Sequence, residues 1–201
     1  MAQLYTMNID SVVSGDIVLL SPQRREKAMR FTFEKDRKLS VAASLLIARG
    51  LAEYGIRERD TVYSYGRYGK PYLKDYPEIH FNVSHSGSMA AAAFSRGEVG
   101  CDIELIRPYD EDVAALCFTP GEREAVMKAE DSALAFTRLW CIKESFLKAL
   151  GPGLGGGMQS FSAAVDGKTV RLEQDKDRRK WKISTDVIDN HVIAVAEEEQ
   201  E

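Results

Sequence analysis

The sequence is poor in cysteine. Its three thiols, Cys101, Cys117 and Cys141, are odd in number and lack C-x-x-C spacing. That excludes a disulfide framework and a cysteine-ligated zinc site. Histidine is equally scarce, and His80, His85 and His191 form no metal-ligand spacing. Long apolar runs are missing too: the longest aliphatic stretch, 41–48, falls far short of the ~20 residues that span a bilayer. The N-terminal Met1-Ala2-Gln3-Leu4-Tyr5 has no basic stretch leading into an apolar run, so a cytoplasmic protein without membrane contact is expected. Net charge is nearly absent, 27 Lys and Arg against 31 Asp and Glu, a balance of −4 in 201 residues. Coating of nucleic acid through bulk charge is thereby excluded, whereas a local basic patch can still hold one small polyanion. What is present is ordinary for a globular chain: 44% hydrophobic and 29% charged residues rule out wholesale disorder. The length suits one domain or two compact halves.

An internal repeat organises the chain. Ser21-Pro22-Gln23-Arg24-Arg25-Glu26-Lys27-Ala28-Met29-Arg30 aligns with Thr119-Pro120-Gly121-Glu122-Arg123-Glu124-Ala125-Val126-Met127-Lys128, at an offset of 119 − 21 = 98. Each copy opens on a hydroxyl residue suited to cap a helix, with proline next. Thr119 and Glu122 also fit a capping box. Longer helical patterns follow at 36–54 and 132–150, ending at Gly55 and Gly151. Strands are expected at 62–65, 79–83, 89–94, 99–106, 161–165, 169–172, 181–185 and 192–196. Helices and strands are partly segregated, which favours an α+β class over regular βαβ winding. The seam is expected near Ser95-Arg96-Gly97-Glu98, with an N-terminal half over 1–97 and a C-terminal half over 98–201. The acidic tail 197–201 is expected to be solvated.

Several segments can carry chemistry. In Gly100-Cys101-Asp102-Ile103-Glu104, residues two apart on a strand share a face, so Asp102 and Glu104 point together. Two like charges ~4 Å apart cost roughly 4 kcal/mol at an effective dielectric of ~20, so such a pair calls for a cation unless it is merely an exposed edge. Hard oxygen donors suit Mg²⁺. On the helix at 132–150, Leu139, Ile142, Phe146 and Leu150 form a core stripe, while Trp140, Glu144 and Lys148 lie on another. Glu144 and Lys148 are spaced for a surface ion pair. The functional alternative is a third carboxylate beside a lysine that reaches a phosphate. Asn82-Val83-Ser84-His85-Ser86-Gly87 ends a strand with hydroxyls and an imidazole, a set suited to phosphate. No G-x-S-x-G elbow supports a nucleophilic serine. Tyr68-Gly69-Lys70-Pro71-Tyr72 displays a lysine on a turn. Arg24, Arg25 and Lys27 crowd a helix start, where the dipole disfavours cations and an anion would relieve the tension. Residues 151–156 match G-x-G-x-x-G, but they follow a helix and include Pro152, so a loop closing the site is expected instead of a dinucleotide fingerprint.

In this order, the segments resemble the 4′-phosphopantetheinyl transferases of the long, surfactin-synthetase-activating type. The acidic motif around Asp102 and the helix Trp140-Cys141-Ile142-Lys143-Glu144-Ser145-Phe146-Leu147-Lys148 carry the resemblance, spaced 144 − 102 = 42 residues apart as in that family. The segments at Ser21, at Tyr68 and at Phe81 support it. The resemblance implies a pseudo-dimer of two similar α+β halves with coenzyme A between them. It implies that Asp102, Glu104 and Glu144 hold Mg²⁺ against the pyrophosphate and that Lys148 pairs with it. It further implies that Ser84, His85, Arg24, Lys27 and Ser40 hold the 3′-phosphate, and that Lys70 and Pro71 lie along the adenine. Arg24 stands where that family often has lysine, and Cys101 where it usually has Val or Ile.

The implied activity moves 4′-phosphopantetheine from coenzyme A to a serine of an apo carrier protein (acyl, peptidyl or aryl). The product is 3′,5′-adenosine bisphosphate. Asp102, Glu144 and Lys148 are the expected catalytic residues, with Glu144 as base, directly or through a metal-bound water, and Glu122 as the alternative. A Mg²⁺-dependent nucleotide phosphohydrolase and a non-catalytic coenzyme A-binding module are the competing readings. A monomer that meets an acidic carrier through a basic or apolar face is expected, with no nucleic-acid partner.

Overall fold

The sequence repeat is the plan of the fold. The computed structural model describes residues 1–67, 69–151, 157–167, 169–173 and 178–200. Each half runs strand, helix pair, hairpin, hairpin. In the first, β1 (Gln3–Asn8) leads to α1 (Pro22–Met29) and α2 (Glu34–Ala52). There follow β2 (Tyr63–Tyr65) with β3 (Pro71–Leu73), and β4 (His80–Ser86) with β5 (Met89–Ser95). The second half repeats this with β6 (Val99–Leu105), an added helix α3 (Glu111–Cys117), then α4 (Pro120–Lys128) and α5 (Ser132–Leu150). It closes with β7 (Ser162–Asp166), β8 (Thr169–Glu173), β9 (Trp181–Ile188) and β10 (His191–Glu198). The main sheets share one strand order, β1-β5-β4 and β6-β10-β9, antiparallel throughout. At the 98-position offset, α2 lands on α5 residue for residue.

Local chemistry explains the helix ends. Ser21 and Thr119 accept from the N–H groups of Arg24 and Glu122, with proline next in each case. Glu122 returns a bond to the Thr119 N–H, completing the capping box. The regular part of α2 is shifted two residues toward the N-terminus relative to 36–54. Its last turn still closes at Gly55, where Gly55 N–H reaches the Ala52 carbonyl and Ile56 N–H the Leu51 carbonyl, a Schellman closure. The φ of +72° at Gly55 is why glycine stands there. The strands β1 and β3 and the helix α3 were not legible in the apolar pattern.

Each half has its own core. Leu46, Ile47, Phe81 and Phe94 anchor the first, and Phe118, Phe136, Ile142 and Phe146 the second. A third cluster joins the halves: Ala91 and Ala93 from β5 pack on Val99, Cys101 and Ile103 from β6. Small side chains on β5 let the sheets come together. Gly100 does the same for α5, since a Cβ there would lie 1.9 Å from the Ser145 carbonyl oxygen. The acidic tail departs from expectation. Glu197 and Glu198 belong to β10, where Glu197 is buried beneath the Ala2 N–H and Glu198 accepts from the Glu98 N–H. Among the described residues, no helix is long and apolar enough to cross a membrane.

Candidate active site

Across the seam, β4 faces β6 through side chains. Asn82, Ser84 and Ser86 share one face of β4 by the period of two. Asn82 Oδ1 accepts from Cys101 N–H at 2.9 Å, Ser84 Oγ donates to Asp102 Oδ1 at 2.9 Å, and Ser86 Oγ donates to Glu104 Oε2 at 2.6 Å. Leu105 N–H in turn donates to Ser86 Oγ at 3.3 Å. The β6 carboxylates are therefore held from the opposite half of the molecule.

From the other side, α5 brings Glu144 and Lys148. Glu144 is buried and Lys148 half-buried, so neither sits in the surface pair that their spacing permits. Lys148 Nζ reaches Asp102 Oδ1 at 2.6 Å and Ser84 Oγ at 3.1 Å. Burial pushes the Glu144 carboxyl above the ordinary range, and Asp102 and Glu104 add to this against Lys148. Burial likewise raises Glu104, with Asp102 adding and the Ser86 hydrogen bond opposing. Burial alone would lower Lys148, but the charge and hydrogen bond of Asp102, with Glu144, hold its pKa above the ordinary value.

This cluster has more negative charge than Lys148 balances. Asp102 Oδ2 and Glu144 Oε1 are buried without a hydrogen-bond partner. Among the described residues, no three His, Cys, Asp or Glu side chains converge closely enough to hold a metal ion as they stand. The donor chemistry nonetheless fits Mg²⁺, which takes one or two hard carboxylate oxygens and completes its shell with water and phosphate. Asp102 and Glu144 supply the two orphaned oxygens, and Glu104 stands beside them.

A cationic group lies on the N-terminal half. Arg24 is 5% exposed, its guanidinium 4.3 Å above the Tyr63 ring, and its Nη2 has no partner. Ser21 and Tyr63 hydroxyls both donate to Glu58 Oε1 at 2.8 Å, bracing the start of α1. Burial and the neighbouring Arg24 lower the pKa of Lys27. His85 is exposed as a residue, yet enough protein crowds its ring to lower its pKa, and Lys148 and Lys27 push the same way. Arg24, Lys27 and His85 thus form a neighbourhood rich in cationic groups, with Asp36 as an opposing charge on His85. Ser40 is buried on α2. Strand alternation divides the expected Ser84–His85 pair: Ser84 serves Asp102 and Lys148, while His85 lies on the other face of β4.

Lys70 is held by protein groups. Its Nζ donates to Glu98 Oε2 at 2.7 Å and to the Ala149 carbonyl at 2.9 Å, tying the loop before β3 to the end of α5. Pro71 opens β3 next to it. His80 Nδ1 also approaches Glu98, at 3.4 Å. Burial would raise the Glu98 carboxyl, but bonds from His80 and Lys70 bring it down to about 2. Tyr68 and residues 152–156 of the glycine-rich segment lie outside the described residues.

Glu122 is fully engaged elsewhere. Its oxygens accept from Lys143 Nζ at 2.7 and 2.8 Å, from Thr119 N–H at 2.7 Å and from Ala163 N–H at 2.8 Å. Lys143 completes its own set on the Phe161 carbonyl at 2.9 Å. Sequence reasoning missed Lys143, although its place one turn after Leu139 on the core stripe was a signal. It likewise gave no partner to Asn82 or Ser86.

Comparisons with known proteins identify the family. A family model described as the 4′-phosphopantetheinyl transferase superfamily matches residues 98–196, and one described as 4′-phosphopantetheinyl transferase, N-terminal, matches 10–96. The 4′-phosphopantetheinyl transferase Sfp of Bacillus subtilis is 34% identical over 175 residues, 86% of this chain and 73% of the relative. A putative 4′-phosphopantetheinyl transferase of Synechocystis is 28% identical over 92% of this chain and 82% of its own. Among solved structures, the holo-[acyl-carrier-protein] synthase of Thermotoga maritima aligns with a TM-score of 0.45 at 22% identity, over 52% of this chain and 64% of that one. The Helicobacter pylori synthase, solved in complex with coenzyme A, aligns at 0.43 and 17% identity, over 50% of this chain and 99% of that one. A relative one-third identical across most of both chains makes the assignment plain: this chain belongs to the 4′-phosphopantetheinyl transferase superfamily.

Proposed function

We propose that the chain moves 4′-phosphopantetheine from coenzyme A to the serine of an apo carrier protein, with Mg²⁺ as its cofactor. One observation carries the reading. Asp102 Oδ2 and Glu144 Oε1 are buried and unpartnered beside the Lys148 ammonium. An unsatisfied buried oxygen costs about 1–3 kcal/mol, a cost that folding alone does not explain and a cationic ligand removes.

The residues divide the work. Asp102 and Ser84 fix Lys148, which brings positive charge to the pyrophosphate as charge grows there. Glu144 would take the proton of the incoming serine, directly or through a water. The serine oxygen bonds to the β-phosphorus, the bond from that phosphorus to the bridging oxygen breaks, and the electron pair leaves with 3′,5′-adenosine bisphosphate. When bound, Mg²⁺ held by Asp102, Glu104 and Glu144 neutralises pyrophosphate charge. Arg24, Lys27 and His85, with Ser40 nearby, receive the 3′-phosphate. Pro71 and the backbone at Lys70 flank the adenine, since the Lys70 ammonium is already held. The setting is a cytoplasmic monomer.

Incubation with coenzyme A, Mg²⁺ and an apo carrier, read by mass spectrometry, tests this. The carrier gains one phosphopantetheine, and chelation stops the gain. Adenosine bisphosphate released without carrier modification would make the chain a hydrolase, and no product a binding module.

A further inference from the structure

The repeat gives the C-terminal half a counterpart of the cationic neighbourhood around Arg24. Shifted by 98 positions, Arg24, Lys27 and Ser40 fall on Glu122, Ala125 and Arg138. All three counterparts line one cavity of about 530 Å³ bordered by α4, α5, β7 and β8. That volume is within the roughly 300–1,000 Å³ of small-ligand pockets.

The duplicated pocket has changed its chemistry. The Glu122 oxygens are taken by Lys143 and two backbone N–H groups, so they offer a ligand nothing. Ala125 removes the second cation. Val126, Ala129, Leu139 and Ala163 give the lining an apolar stretch, beside the hydroxyl residues Thr119 and Ser162. Glu173, also on the lining, is exposed and accepts from Ser162 Oγ at 3.2 Å. Against this stands Arg138, whose Nε is buried without a hydrogen-bond partner. A buried guanidinium N–H left unpaired on the lining calls for an acceptor, best one carrying negative charge.

We propose that this cavity is a second ligand site, apart from the catalytic cluster, for a small organic monoanion with an apolar body, its anionic head on Arg138. A carboxylate on a medium-length alkyl or aryl group has this chemistry. A nucleotide phosphate does not, because one cation has become Ala125 and another an acid, Glu122. The contrast with the first pocket rests on the phosphate role proposed for Arg24 and Lys27; the cavity and its unpartnered guanidinium do not.

The test uses the full chain, with anilinonaphthalene sulfonate fluorescence as probe and octanoate as competitor. Octanoate displaces the probe, Arg138→Ala weakens octanoate by roughly tenfold or more, the loss expected for a charged hydrogen bond, and Ala125→Trp abolishes displacement by filling the cavity. Both variants keep wild-type turnover of coenzyme A, which also verifies their folding. Octanoate affinity unchanged in Arg138→Ala overturns the proposal, as does no displacement from the wild-type chain at millimolar octanoate. Displacement by 3′,5′-adenosine bisphosphate that both variants abolish also overturns it, by making the cavity a phosphate site. Octanoate binding that follows the variants in a chain with no transferase turnover would sink the transfer reading and leave this one standing.

Discussion

Replacing Glu122 by glutamine separates a structural acid from a catalytic one. The Glu122 and Lys143 side chains are 4% and 0% exposed, and Lys143 reaches both carboxylate oxygens. Glutamine keeps the shape, removes the charge and turns one acceptor into a donor. Lys143 then keeps the Phe161 carbonyl and one neutral amide oxygen in place of the carboxylate, and an N–H of Thr119 or Ala163 loses its acceptor. Removing one partner of a buried pair costs about 3–5 kcal/mol. At roughly 2–4 °C per kcal/mol for a chain of this size, the melting midpoint falls by about 6–20 °C. Burial already lowers the Lys143 pKa, and loss of Glu122 lowers it further. The folded state then resists protonation that the unfolded chain accepts below ~10.4, so the deficit shrinks as pH rises toward that value. Turnover per folded molecule stays within about threefold, because Glu122 touches none of Asp102, Glu144 or Lys148. Adding Lys143→Met to Glu122→Gln recovers much of the stability. Thermal melts combined with turnover decide the matter. An unchanged midpoint with turnover down ~10²–10⁴-fold, the amount a lost general base removes, would refute this reasoning and make Glu122 the base.

Other perturbations bear on the site itself. Asp102→Ala or Glu144→Ala lowers transfer by at least ~10³-fold while circular dichroism stays native; full activity at limiting Mg²⁺ would end the metal assignment. Gly100→Ala pushes a methyl against the Ser145 carbonyl and the Ala149 nitrogen, so α5 lifts from β6. It costs about 1–3 kcal/mol and most of the turnover, and a crystal structure with α5 unmoved would contradict this. His85→Ala raises the KM for coenzyme A about tenfold with kcat little changed; an unaltered KM would remove His85 from the anion pocket. Glu98 titrates near 2 when folded against ~4.3 when unfolded, so its contribution is present above pH ~4.3 and fades as pH falls toward 2. Lys70→Ala therefore narrows its stability gap to the wild type through that window, and a gap constant down to pH 2 would count against the clamp.

Periodicity and caps made much of the fold legible. Proline after a capping hydroxyl marked α1 and α4, and the helical pattern at 132–150 placed α5 to the residue. The strands at Met89 and Val99 were readable from their apolar content. β1 escaped because its side chains are exposed or half-buried and show no clean alternation, and β3 because three residues carry no pattern. At the site, the acidic residues were legible as a pair two apart on a strand and a third on a helix. Their partners were not. That Lys148 answers Asp102 and not Glu144, or that Ser84 turns to one face and His85 to the other, depends on how two halves 98 residues apart are laid together. The Glu122–Lys143 pair is legible only in part: the capping box was visible, but its lysine partner comes from the next helix, 21 residues on.

The side-chain ladder between β4 and β6 bears on cooperativity. Asn82, Ser84 and Ser86 replace the backbone pairing that two neighbouring strands would otherwise make, and two of the three bond to site carboxylates. Prying the halves apart would strip Asp102 and Glu104 of their hydroxyl donors in the same motion. Each half owns a core, yet neither owns the site, so assembly of the catalytic groups and docking of the halves are one event. Such a molecule melts in a single transition despite its two cores, and a ligand bridging the seam raises the midpoint of both halves together.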